Sequence, residues 1–191
     1  MPTYKIESNR KLEIASFSIK YSDAFNLDDL YTGLREWLEE YDWKGYDNIA
    51  KDEDTDRSET YYSETIGPAG REINILWRLK KQRGFFFRWL FDITQDTQAL
   101  KKTETVIGGK KIMLDKGTYE IRVKATLEID SEKGLEKNPL KIIRPLFIKV
   151  YKKKIEEEER ELYREAYVFQ SYIKKWLSLK GVIPFESGKA I

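Results

Sequence analysis

Apolar residues recur along this chain in two rhythms, every three or four positions in two helical stretches and every second position in most of the rest. The longest helical pattern spans Pro145 to Ser178. Leu146, Phe147, Val150, Tyr151, Ile155, Leu162, Ala166, Phe169, Ile173, Trp176 and Leu177 follow one another there as a single buried stripe. Pro145 suits a first helical position, where its missing N–H has no intrahelical partner, and Gly181 and Pro184 lie just past the far end. Between Ile155 and Leu162 the stripe loses its apolar step, since Glu156 to Glu161 are all charged. At 1.5 Å per residue such a helix is about 51 Å long, against a radius of gyration of roughly 16 Å for a compact domain of this size. The helix is therefore expected to overhang its domain, to kink, or to meet another chain at its charged middle.

A second helix is expected from Leu27 to about Glu40. Asn26 is a good N-cap, Asp28 and Asp29 favour the positive end of a helix, and Phe25 with Leu30 match a hydrophobic staple. Leu27, Leu30, Tyr31, Leu34, Trp37, Leu38 and Tyr41 form its apolar face. Before it, Tyr4 to Glu7 reads as a short strand and Lys11 to Tyr21 as a longer one. Leu12 and Ile14 run out of phase with Phe17, Ile19 and Tyr21, which a bulge near Ala15-Ser16 reconciles. After it, Asp42 to Ser58 is a polar connection with a helical turn near Tyr46 to Ala50.

From Glu59 onward the rhythm is that of antiparallel strands. Glu59 to Ile66 turns at Gly67–Gly70 into Arg71 to Lys81, and Gln82-Arg83-Gly84 turns into Phe85 to Gln95. Lys101 to Ile107 turns at Gly108-Gly109 into Lys110 to Leu114, and Asp115-Lys116-Gly117 leads into Thr118 to Asp130. Tyr119, Ile121, Val123, Ala125, Leu127 and Ile129 point one way and charged residues the other, so this strand has one core face. Ile73, Ile75, Trp77 and Leu79 repeat the pattern. Phe85, Phe87, Trp89, Phe91 and Ile93 fill one face of their strand, while Phe86 and Leu90 give it a second, partly apolar one. Ser131 to Asn138 is a polar linker. The fold class is α+β: a curved antiparallel sheet of about seven strands against a long C-terminal helix, with a helical insert after the first strand, all in one domain of residues 1–191 that ends in a tail at 181–191.

Composition narrows the chemistry. The chain has 191 residues, enough for one domain with a sizeable core. Its 35 basic and 33 acidic residues give a net charge of +2, too balanced for a dedicated nucleic-acid binder. It has neither cysteine nor histidine, which removes thiolate nucleophiles, disulfides, the commonest general base and the commonest transition-metal ligands. Abundant Lys and Glu give it a thermophile-like composition. Met1-Pro2-Thr3-Tyr4 lacks the features of a signal peptide, and no apolar run has the length of a membrane span, so a soluble, cytoplasmic protein is expected.

No motif carries catalysis. Asp52-x-Asp54-x-Asp56 begins like a calcium loop, but Arg57 stands where the sharp turn needs Gly, and Ser63 where a bidentate Glu is needed. A solvated acidic loop explains it better. Gly108-Gly109-Lys110 lies between strands and opens no helix, and Gly181 to Lys189 has the wrong spacing for a phosphate loop. The run Gly84 to Phe91 could be a basic-aromatic patch, but a strand packed on both faces predicts the same residues. The expectation is no enzyme, no cofactor and no metal.

The order of elements from Lys11 to Ser178 resembles the START-like helix-grip superfamily (SRPBCC), without a shared sequence motif. The resemblance implies a sheet wrapped around a long C-terminal helix, with a cavity for an apolar ligand between them. A small apolar or lipid-like ligand would then be lined by Trp77, Phe87, Trp89, Tyr119, Val123, Phe169 and Ile173, although the same residues would equally fill a solid core. The alternative from another class is an interaction or self-assembly module, a homo-oligomer through the C-terminal helix, motivated by its interrupted stripe and by Tyr163, Tyr167 and Tyr172 on its other faces.

Overall fold

The structure is a computed structural model and describes residues 11–45, 58–107, 110–129 and 144–179. Among these, nine elements follow in chain order: β1 (Lys11–Tyr21), β2 (Ala24–Phe25), α1 (Leu27–Glu40), β3 (Lys44–Gly45), β4 (Glu59–Gly67), β5 (Gly70–Arg83), β6 (Phe87–Ile107), β7 (Lys110–Ile129) and α2 (Arg144–Leu179). The strands form one open, curved antiparallel sheet in the order β1-β7-β6-β5-β3, with β2 beside β7 and β4 beside β5. Both helices lie on its inner face. This is the α+β arrangement of a seven-stranded sheet with a C-terminal helix that the sequence predicts.

Period-two alternation decides which face is covered. Val123, Ile93 and Trp77 stand side by side on β7, β6 and β5, and each is buried. Their neighbours two residues on in either direction repeat the layer. The outer face is laced with ion pairs instead, among them Arg78–Asp92 at 3.6 Å, Arg88–Glu128 at 3.4 Å and Lys124–Glu13 at 2.7 Å. In β1 the register slips between Glu13 and Ala15, which returns both Leu12 and Phe17 to the inner face opposite Leu127 and Val123. The expected bulge is therefore present, one residue earlier than its predicted place.

The strands divide differently from the sequence reading. The stretches expected as two strands, Phe85 to Gln95 and Lys101 to Ile107, join from Phe87 onward into one strand, β6, with a register shift between Gln98 and Lys101 where Ala99 takes a φ of 54°. Lys110 to Leu114 and Thr118 to Ile129 are likewise one strand, β7. Gly117 is not a turn residue: a Cβ there would lie 2.8 Å from Gln98 O and 2.8 Å from Leu100 Cδ2, so close packing against the bulge requires the glycine. Phe85 belongs to the turn between β5 and β6 and is exposed, because the turn extends to Phe86. The short strands β2 and β3 bring the number back to seven.

Helix α1 is built as its caps predict. Asn26 Oδ1 accepts from the backbone N–H of Asp28 and of Asp29, and its amide donates to Asp29 at 2.8 Å. Phe25 and Leu30 are both fully buried. Replacing Asn26 by Ala is expected to lower stability by about 1 kcal/mol in denaturant melts, through loss of the cap. At the other end Asp42 adopts a left-handed φ of 61°. Asp42 N–H then donates to Glu39 O, and Trp43 N–H donates to Leu38 O at 2.9 Å, the Schellman pattern that ends a helix by folding the next residue back. The consequence is positional: Trp43 is driven into the core, where it stacks on Phe91 with ring centroids 3.9 Å apart.

Helix α2 runs without interruption through its charged middle. Ile155, Leu162, Ala166, Phe169, Ile173, Trp176 and Leu177 are buried, whereas Val150 is exposed. The step between Ile155 and Leu162 is filled by Glu158, which is only 3% exposed. The charged block thus belongs in part to the internal face. The expected strand at Tyr4 to Glu7, the helical turn near Tyr46, the Gly108-Gly109 turn, the acidic triplet at Asp52, the linker at 131–138 and the tail at 181–191 lie outside the described residues.

Candidate functional site

The inner face has two distinct regions. Near the middle of α2 it is ionic. The alternation that buries Ile73, Ile75, Trp77 and Leu79 on β5 continues to Lys81 and Arg83, so both cations point at the helix. Lys81 Nζ bonds both carboxylate oxygens of Glu165, at 2.9 and 3.0 Å, and Trp43 Nε1 donates to the same carboxylate at 2.8 Å. Arg83 reaches Glu158 at 3.3 Å and also bonds Glu161. Glu158 further accepts from Trp89 Nε1 at 3.1 Å and meets Lys154 at 3.4 Å. Lys81 lies 5.3 Å from the centre of the Trp89 ring and 5.8 Å from that of Trp43, and the Arg83 guanidinium lies 4.5 Å from that of Trp89. Glu158 and Glu165 therefore each have both a cation and an indole donor, which is what a charge needs once water is removed.

Beneath α1 the same face is apolar with a few buried polar groups. Trp37 packs on Phe169 at 4.6 Å and stacks on Tyr41 at 4.0 Å, and Tyr172 Oη donates to Gly33 O at 3.0 Å. Tyr172 thus joins the two helices and is not a free aromatic of α2. Tyr119 Oη donates to Gln95 Oε1 at 2.9 Å, and Thr97 Oγ1 accepts from Ile73 N–H at 2.7 Å. Burial pushes the Tyr119 phenol far above its ordinary value. A phenol whose folded pKa is raised stabilises the fold below the unfolded value near 10 and loses that contribution as pH rises further. Above about pH 10 Tyr119 alone is expected to remove about 1.4 kcal/mol of stability per pH unit. Tyr119→Phe should flatten the alkaline limb of a stability–pH profile by about that slope.

All seven residues expected to line a ligand site, Trp77, Phe87, Trp89, Tyr119, Val123, Phe169 and Ile173, lie on the inner side and are buried in one contiguous core. Of these, Trp77 borders a cleft. The cleft, about 250 Å³, opens at the sheet rim where α1 ends. Leu38, Trp43, Trp77 and Leu79 supply its apolar wall, and Arg35, Glu39, Asp42 and Lys44 stand around it. A second, more open groove of about 440 Å³ runs between β1 and α2, along Leu12, Ile14 and Tyr163. Among the described residues no group of acidic side chains is arranged to hold a metal ion, and no helix is long and apolar enough to cross a membrane.

Sequence reasoning placed these residues on the inner face but missed the ionic seam. Its signal was the inner phase of Lys81 and Arg83, which match the alternation of the apolar residues before them. Comparison with known proteins adds no assignment: no family model, no curated protein and no solved structure matches the chain.

Proposed function

We propose that this protein is a non-enzymatic binding protein that takes a small, mainly apolar ligand between its sheet and its helices. The observation that carries the reading is the cleft at the end of α1, whose wall of Leu38, Trp43, Trp77 and Leu79 leads from the rim to the inner face. An open antiparallel sheet holding helices against one face supports it, and so does the resemblance to the START-like helix-grip superfamily, in which ligands occupy this layer. Concave, mostly apolar clefts with a few polar groups are where small molecules bind. The geometry moves the proposed entrance toward α1, since the central part of α2 meets the sheet through buried side chains and ion pairs. The ionic seam has a structural task in this account, fixing α2 over β5 and β6, and no catalytic step is assigned to it.

The test is a panel of fatty acids, sterols and aromatic dyes monitored by tryptophan emission and thermal melting. A ligand present at 100 times its dissociation constant should stabilise the protein by about 2.7 kcal/mol, because it binds only the folded state. A panel that shifts neither emission nor melting would remove the reading.

A second reading, self-assembly through α2, draws on the groove beside β1. Tyr163 is 51% exposed, and Tyr167 lies between Tyr163 and Phe17 at centroid distances of 4.5 and 6.2 Å. Contact through this patch would be apolar and would strengthen with salt. The charged middle of α2 is less suited to it, because Glu158 and Glu161 are engaged by Arg83 of the same chain. A sedimentation series that shows only monomer at every protein and salt concentration would exclude it.

A further inference from the structure

We infer that the turn between β5 and β6 and the first turns of α2 form a docking surface for an anionic lipid membrane, which they meet at its surface without crossing it. The inference is independent of the binding reading above: vesicle binding by a chain that takes up no apolar probe leaves it standing. Helix α2 begins at Arg144, and among those of its residues whose side chains are described the first buried one is Ile155. About 16 Å of helix lies ahead of Ile155. Val150 is 70% exposed there, and Phe85, in the turn between β5 and β6, is 60% exposed. The two belong to one patch. Phe85 packs edge-on against Phe86 at 5.1 Å, and Phe86 packs against Tyr151, the neighbour of Val150, at 5.9 Å.

The chain around this patch is one-sided in charge. From Lys141 to Lys154 the sequence has six basic residues, Lys141, Arg144, Lys149, Lys152, Lys153 and Lys154, and no acidic one. The rest of the chain has 29 basic and 33 acidic residues, so the positive net charge comes from this one run. Lys154 is engaged by Glu157 and Glu158. Lys152 and Lys153 are exposed, and Lys152 lies 3.8 Å from Glu156. Leu146, Phe147, Val150 and Tyr151 recur between these cations at helical spacing. Cations interleaved with apolar residues in this way let a helix rest in the interface of an anionic bilayer.

The order of charges along α2 decides which anionic partner fits. Glu156 to Glu159 and Glu161 follow the cationic run at once. A nucleic acid lying along the helix would meet these carboxylates, whereas a flat surface reached by this end of the molecule meets the cations first. The carboxylates begin about 9 Å beyond Val150 along the axis, roughly one Debye length at physiological salt. Phe85 and Val150 also favour a bilayer, because apolar side chains gain by leaving water. Contacts to a phosphate backbone make no use of them. A second copy docked symmetrically on the same patch would set like charges against each other.

The experiment is co-sedimentation of the full chain with vesicles of phosphatidylcholine alone and of phosphatidylcholine with about a third phosphatidylserine. Binding is expected to the mixed vesicles only, and it should weaken as salt is raised. Lys152→Gln combined with Lys153→Gln should weaken it about 25-fold, at roughly fivefold for each cation. Phe85→Ser should weaken it about tenfold. All three side chains are exposed, so both variants should melt as the wild type does. Equal binding to the two kinds of vesicle, binding to neither, binding unchanged in either variant, or tighter binding to a single-stranded oligonucleotide overturns the inference. So does a dimer that Phe85→Ser breaks up, which would assign the patch to a second copy. If Phe85→Ser fails to fold, the lysine variant and the comparison of the two vesicles with the wild-type chain decide.

Discussion

Glu158→Ala is expected to lower the unfolding free energy by about 2–3 kcal/mol, as read from denaturant melts. The substitution strips a buried carboxylate from the Trp89 indole, which is left without its acceptor, and from Arg83, which keeps Glu161. Breaking a fully buried ion pair by removing one partner costs about 3–5 kcal/mol. The lower figure applies because Arg83 is 33% exposed and water can reach it. Glu158→Leu should cost less than Glu158→Ala, since leucine completes the apolar stripe between Ile155 and Leu162 and avoids a cavity. A small and equal effect of both would mean that the carboxylate is solvated and that the middle of α2 does not lie on the sheet.

Trp37→Ala should cost more, about 3–5 kcal/mol. Trp37 is 5% exposed and lies against Tyr41, Phe169 and Tyr172, so it joins α1 to the far half of α2. Its loss opens a large cavity where two helices meet, and rigid neighbours such as Phe169 cannot close it. Melts of Trp37→Ala and Glu158→Ala, with their double mutant, separate the apolar and ionic anchors. The two sites lie on different stretches of α2, and their effects should add to within about 0.5 kcal/mol.

What could be read beforehand follows from the range of each interaction. Caps and alternation are local, so Asn26, the buried face of α1, and the inner residues Trp77, Trp89, Tyr119 and Val123 were legible in the sequence. The burial of Glu158 was not, because its partner Arg83 is 75 positions away along the chain. A glutamate among glutamates reads as solvent-facing until that cation is in place. Gly117 was misleading for a related reason. Glycine marks both turns and close backbone approaches, and only the packing of Gln98 and Leu100 against it shows which applies. The merging of predicted strands into β6 and β7 likewise depends on a bulge at Ala99, an alanine in a conformation that glycine usually takes. For the candidate site, Trp77 was legible as an inner-face residue, but the cleft it borders was not. It forms because Asp42 folds the chain back at the end of α1 and places Trp43 beside Trp77 and Leu79.

The most direct test of the binding reading is native mass spectrometry of the protein as purified and after incubation with the apolar panel. The account predicts a folded chain that carries one non-covalent small molecule, retained in native spray and lost under denaturing spray. The wild-type protein should take up one equivalent of a matching probe. Spectra showing the bare mass of the chain before and after every probe, from protein that remains folded, would contradict it.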